Sequence, residues 1–327
     1  MTDRWIVELL LAVVVVTAVG VVRARNLLVA SVLLGIYSLV MALIWTAMEA
    51  YDVALTEAAV GAGISTLLLI GALIRTGSRI GGSKERDAPR IDKVALAVAV
   101  LTGAALAYGT LDMPAIGDPT APVHVHPKVA RHYIDRSMEE THVPNMVTVV
   151  LASYRGYDTM FETCVVFTAA LGVMVLLRRR RPPAEPAPGE MREQAIFVVM
   201  TRMTVPFVLA YGSYVITHGE LGPGGGFQGG VILAAGYLIY ALVYGLAAAQ
   251  RALPPRLTDV GAGLGVLIYA GVGVACLLLG GDFLAYDALN QADPAKGQQL
   301  GMTLVELGVG LTVACVMVTI FNEVAQP

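Results

Sequence analysis

Long apolar runs separated by short charged connections constrain this chain more than any other feature. A bilayer core about 30 Å thick needs about 20 apolar residues at 1.5 Å each. That ruler finds nine candidate spans: Trp5 to Val22, Asn26 to Met48, Val53 to Ile74, Lys93 to Leu111, Tyr157 to Leu177, Ala195 to Thr217, Phe227 to Ala249, Thr258 to Leu279 and Gly301 to Asn322. Of the 327 residues 56% are hydrophobic and only 14% charged, whereas soluble domains carry about 25% charged residues. Such a chain cannot coat a water-facing surface of its own size. The reading is an all-α polytopic integral membrane protein, with about nine transmembrane helices in three small bundles, and a soluble enzyme is excluded. A net charge of −3 gives no argument for nucleic acid, whose readers carry clustered basic surface. The first run exceeds a signal-peptide core and is followed directly by Arg23 and Arg25, so it reads as a retained span.

If the spans alternate, one set of connections holds fifteen lysines and arginines and the other six, with Arg202 inside the sixth span. The positive-inside rule then puts the N-terminus outside and the C-terminus inside. Two basic stretches look like seams: Gly81 to Arg90, and Arg178 to Gly189, whose RRRRPPAEPAPG cannot continue a helix. The division expected is a three-span module over 1–80, a two-span module over 91–181, a proline-rich linker over 182–190, and a four-span module over 191–327. The RRRR run reads as a topological anchor.

Two possible metal sources give no site. Cys164, Cys276 and Cys315 lie in apolar runs and read as packing residues. The external stretch from Asp112 to Gly156 holds His124, His126, His132 and His142. It lacks zinc-ligand spacing, so a solvated loop is favoured over a histidine-dependent membrane enzyme. No metal and no cofactor are expected. Within that stretch Pro127 to Glu140 reads as an amphipathic helix, and the alternation of Asn145 to Ser153 fits a strand or a partly inserted segment.

Ionisable groups within spans are costly, so each carries a functional hypothesis beside a structural one. Glu8, Glu49 and Asp259 lie near span ends. Glu57, followed by Ala58, Ala59, Gly61, Ala62 and Gly63, either exchanges a proton or cation or bonds a neighbouring helix. Asp158 and Glu162, at i and i+4, share a helix face near Arg155 and either hold a proton or cation or form a salt bridge at the head of the helix. Arg202 needs an acid, and Glu306 is one possible partner. His218 is a relay or a hydrogen-bonded group. The stretch HGELGPGGGFQGG places Gly224, Gly225, Gly226, Phe227 and Gln228 at the head of the seventh span. Its glycines expose backbone N–H groups where a helix N-terminus favours negative charge.

Three motifs point the same way. TRMTVPFVLAYGSYVITHG, then PGGGFQGGVILAAG and VELGVGLTV, resembles the B-type component of Mrp-type multisubunit Na+/H+ antiporters from about residue 190 onward. Val53 to Gly77, and then NMVTVVLASYRGYDTMFE, resemble the part of the A-type Mrp component that follows its large antiporter-like region, which also occurs as separate small proteins in membrane-bound hydrogenases. The resemblance implies a membrane subunit without its own catalytic centre, in a cation/proton antiporter or a related redox-coupled pump, in a bacterial or archaeal cytoplasmic membrane. It also implies partner subunits, including large antiporter-like ones, and H+ and Na+ as transported ions. Glu57, Asp158 and Glu162 match the family pattern. Ser153 and Glu220 depart from it, standing where acidic, and polar or histidine, residues are usual. The chain either contributes to the ion path or is a non-conducting structural adaptor.

Overall fold

The computed structural model describes residues 4–75, 93–115, 117–126, 128–178 and 194–325. The seams at 81–90 and 182–190, and the rest of the RRRR run beyond Arg178, lie outside the described residues. No strand occurs among the described residues. In order the helices are α1 (Arg4–Arg23), α2 (Leu27–Ala47), α3 (Tyr51–Glu57), which runs through a π-helical turn (Ala58–Ser65) into α4 (Thr66–Arg75), α5 (Lys93–Gly109), α6 (Pro122–Val125) and α7 (Ala130–Thr141). Then come α8 (Met146–Thr148), a second π-helical turn (Val149–Tyr154), α9 (Gly156–Leu177), α10 (Ala195–His218), α11 (Gly226–Tyr244), α12 (Leu246–Ala252), α13 (Pro255–Leu278), a 3-10 turn (Tyr286–Asn290) and α14 (Pro294–Ala325).

Eight helical stretches among the described residues are long and apolar enough to cross a bilayer. The remaining expected span, Lys93 to Leu111, is α5, an apolar helix of 17 residues. At 1.5 Å per residue that is about 25 Å, a little short of the bilayer core.

The chain forms two compact units, Met1–Ile80 with Ser137–Pro327, and Gly81–Arg136. In the smaller unit no residue of α5 is buried, and Asp118 caps the turn before α6 by accepting from the amide and hydroxyl of Thr120 at 2.8 and 2.7 Å. Those bonds hold its carboxyl below the usual range.

In the larger unit α14 is the central helix, packed against α4, α9, α11 and α13. Water cannot drive association inside a bilayer, so close contact depends on small residues. A Cβ on Gly230 would lie 2.7 Å from the Gly310 carbonyl oxygen, and one on Gly308 would lie 2.8 Å from that of Gly265. The core between these helices contains Val231, Leu238, Tyr269, Tyr286, Met302, Val305 and Val313, and Ile64 of the first π-helical turn joins it. The first and last groups of spans therefore share one core. A separate cluster of Val14, Val40 and Ile44 fastens α1 to α2. Cys276 is buried, and Cys164 and Cys315 are partly so, all as free thiols.

The strand reading of Asn145 to Ser153 is corrected. Asn145 caps α8 by accepting from the Val147 amide at 3.0 Å, and the chain runs on into the second π-helical turn. The buried positions are 145, 148, 149 and 152, a helical period that the local alternation of small and large apolar residues disguised. The amphipathic helix expected over Pro127 to Glu140 is α7.

Candidate functional site

The site is built at the head of α11. Gly225 has φ +132° and ψ 175°, a conformation open only to glycine, and it turns the chain into the helix with its first amides unpaired. Into that end comes Glu306 of α14, whose Oε2 accepts from the Gly226 N–H. The glycine-rich stretch thus does present backbone donors to negative charge, and the charge is this chain's own carboxylate. The arrangement joins a helix N-terminus to an acid set about 18 Å along α14, twelve residues from its start.

Other carboxylates surround it. Glu306 lies within electrostatic reach of Glu220, Glu162 and Asp52. Glu220, in the loop before α11, accepts from the Gln299 amide at 3.0 Å and from the Thr303 hydroxyl, which ties the loop to α14. Asp52, at the start of α3, accepts from the Gly224 amide at 3.3 Å and the Asn145 amide at 3.4 Å. Ser153, the other departure from the family pattern, donates to Gln298 Oε1 at 2.7 Å.

The second π-helical turn ends at Arg155, where the backbone breaks (φ −121°, ψ 33°) before α9 begins. Two fully buried tyrosines hold that break. Tyr286 donates to the Ala152 carbonyl at 2.9 Å, and Tyr269 donates to the Gly156 carbonyl at 2.8 Å. Burial raises the Tyr286 hydroxyl above its ordinary range, so it stays a neutral donor. Beyond the break Arg155 pairs with Asp158 at 2.6 Å, both exposed, while Glu162, one turn on, is exposed on the surface of this chain.

Glu57 closes α3 directly before the first π-helical turn, a geometry enriched at functional sites. A Cβ on Gly61 would lie 2.7 Å from its Oε1 and would collide with Ser38 of α2, so the carboxylate sits in a tight gap between two helices. His218 stacks on Tyr214 with centroids 4.7 Å apart. Phe227 packs against the core, and Gln228 lies beside Gly225.

The proposed Arg202–Glu306 pair does not form. Arg202 Nε donates to the Tyr244 hydroxyl at 3.3 Å. Glu306 is held at the other end of the bundle, since Arg202 lies sixteen residues, or about 24 Å, before His218 and the loop. Hydropathy marks both residues as intramembrane but carries no depth along the span.

Sequence reading missed Asp52 and Asn145, although an asparagine before a short apolar run is a cap signal. It also missed a cluster at the far end of the unit. Arg178, the first of the four arginines, forks onto Asp259 at 2.8 and 3.0 Å and reaches Glu323 with Nε at 2.5 Å. Asp259, then Glu323, holds the guanidinium above its ordinary range. Arg178 therefore joins the ends of α9 and α14 to the start of α13, beyond any anchoring role of the run. Among the described residues no group of three His, Cys, Asp or Glu is placed to hold a metal.

Residues 196–319 match the family described as a domain related to the MnhB subunit of Na+/H+ antiporter. A putative antiporter subunit mnhB2 of Staphylococcus haemolyticus is 32% identical over 136 residues, 40% of this chain and 94% of that protein. The chain belongs to the MnhB family of antiporter subunits. Residues 12–78 match the MbhD family and residues 89–194 the MbhE family, both described as MBH components, so the MnhB-type part follows two further family matches. Two solved assemblies share the fold. The Mrp complex from Dietzia sp. DQ12-45-1b matches with a TM-score of 0.76 at 25% identity, over 98% of this chain and 34% of that one. A chain of the membrane-bound sulfane sulfur reductase, an archaeal respiratory membrane complex, matches with a TM-score of 0.56 at 26% identity, over 72% of this chain and 97% of that one. The chain spans only 20–23% of the length of the A-type antiporter subunits that match over half or more of it.

Proposed function

We propose that this chain is a membrane subunit of a multisubunit cation/proton antiporter, or of a related redox-coupled ion-pumping complex, and that it forms part of the ion path. The observation that carries this reading is the carboxylate of Glu306 at the head of α11, with Asp52, Glu220 and Glu162 in electrostatic reach. Several carboxylates on four separate elements form a route for a proton or a small cation, since neighbouring carboxylates disfavour each other's ionised form and together attract a proton or cation that can pass between them. Glu57, set in its tight gap beside the π-helical turn, and Asp158 extend the set. In this reading Arg202, within α10, and His218, at its last residue, tune access.

Partner subunits complete the path. A carboxylate on the outer face of a span is too costly to leave in hydrocarbon, so the exposed Glu162 faces another subunit or water, and large antiporter-like subunits fit that role. The chain has no catalytic centre of its own in this reading. The excess of lysine and arginine on one set of connections supports an N-terminus outside and a C-terminus inside a bacterial or archaeal cytoplasmic membrane. The three-module division fits the two charged seams. A structural-adaptor role is the second reading, favoured by the neutralising Arg155–Asp158 pair.

The test is ion exchange in everted vesicles containing the assembled complex, with Glu57→Gln and Glu306→Gln. Transport is expected to fall at least about tenfold while the partners still copurify, as for loss of one exchanging group. Normal transport in both variants overturns the ion-path reading in favour of the adaptor.

A further inference from the structure

The glycine-rich loop is held from outside its own segment. The Asn145 side-chain amide donates to the carbonyls of Gly219 and Gly222, each at 2.9 Å. Its backbone amide donates to the Glu220 carbonyl at 3.1 Å. The Thr148 hydroxyl donates to the same Gly219 carbonyl at 2.6 Å, and Asp52 accepts from the Gly224 amide. Asn145 is buried and uses both ends of its amide, because its oxygen also caps α8. A loop this rich in glycine has little stiffness of its own. Its carbonyls at 219 and 222 are fixed by one side chain some seventy-five residues earlier, and four residues beyond Gly222 comes the Gly226 N–H that meets Glu306.

We propose that Asn145 is a positioning residue for Glu306, fixing the glycine-rich loop so that the head of α11 stays on that carboxylate. This rests on the ion-path reading for its importance to transport, though not for its geometry. Asn145 touches no carboxylate of the path except Asp52, at 3.4 Å, and acts through the loop. Within electrostatic reach of Glu306 are Glu220 of the loop, Asp52 of α3 and Glu162 of α9, together with Tyr269 of α13 and Tyr286 of the 3-10 turn. Through Asn145 the segment that leads into α9 and the segment that carries α11 are set in one register.

The experiment uses Asn145→Ser in the assembled complex. Serine still caps α8, and it is too short to reach both loop carbonyls. A membrane-permeant carbodiimide labels carboxyls, and peptide mass spectrometry reads the rate at each site. Glu306 labelling is expected to rise about tenfold, roughly one charge-assisted hydrogen bond, with Glu57 unchanged. An unchanged Glu306 rate, or an equal rise at Glu306 and Glu57, overturns the proposal, the second outcome being general loosening. If Asn145→Ser does not assemble, Asn145→Thr, which also caps α8 and lacks the amide that reaches both carbonyls, is read by the same two outcomes. Selective labelling with undiminished ion exchange keeps the positioning role and counts against the ion-path reading, so the two fail separately.

Discussion

Replacing Gly226 with alanine puts a methyl group where α11 meets α14. The new Cβ would overlap the Glu306 carbonyl oxygen and lie 2.8 Å from the Gly310 nitrogen and 2.9 Å from Val309 Cβ. Two of those three atoms are backbone, so no side chain can swing aside and the helices must separate. Overpacking of this kind costs about 1–3 kcal/mol. Separation also draws the Gly226 N–H away from the Glu306 carboxylate, and a hydrogen bond to a charged group is worth about 1.5–3 kcal/mol. Together the loss is about 3–6 kcal/mol, a fall of about 6–24 °C in the unfolding midpoint at the scaling of a large domain. The assay is heating of the purified complex in detergent, followed by size-exclusion chromatography with fluorescence detection. Gly271→Ala is the control, because a Cβ there meets nothing within 4 Å and alanine favours the helix by about 1 kcal/mol. If Gly226→Ala melts together with Gly271→Ala, the close α11–α14 contact, and the carboxylate placement that depends on it, are wrong.

Two other changes probe the ends of the same unit. Arg178→Gln removes a cation paired with Glu323, whose side chain is only 2% exposed. A fully buried pair broken this way costs about 3–5 kcal/mol, and because Arg178 itself is 37% exposed the expected loss is nearer about 1–3 kcal/mol. Arg178→Lys should recover only part of it, since lysine lacks the fork that spans Asp259, and thermal midpoints of the three proteins check the order. Tyr269→Phe leaves the Gly156 carbonyl without its buried donor and should cost about 1–2 kcal/mol, whereas Tyr211→Phe, on an exposed side chain, should leave the midpoint unchanged.

Much of the fold was legible because hydropathy is a one-dimensional property. Each span had to satisfy its backbone within itself, so run length alone predicted helices; α5 came out short, its last two expected residues being turn, and α11 ends at Tyr244, before the expected Ala249, because Gly245 at φ +86° breaks the chain ahead of α12. The head of α11 was legible for a similar reason: three glycines before an apolar run leave helix amides exposed whatever surrounds them. Asn145 to Ser153 was misread because a six-residue π-helical turn disturbs the local period. The Arg202–Glu306 pairing failed because two charges inside spans were matched by sign, with no measure of how deep each lay.

What the sequence determined by itself was the set of local conditions: which segments are helices, where glycine must turn the chain, and which charges lie within apolar runs. Which charge meets which end was decided only by tertiary packing. Glu306 reaches the Gly226 N–H because α14 and α11 approach through glycines at 226, 230 and 310, and Asn145 reaches the loop because α8 lies against it. Such contacts join residues some seventy to a hundred and seventy positions apart, and their energy depends on distances that no local pattern encodes.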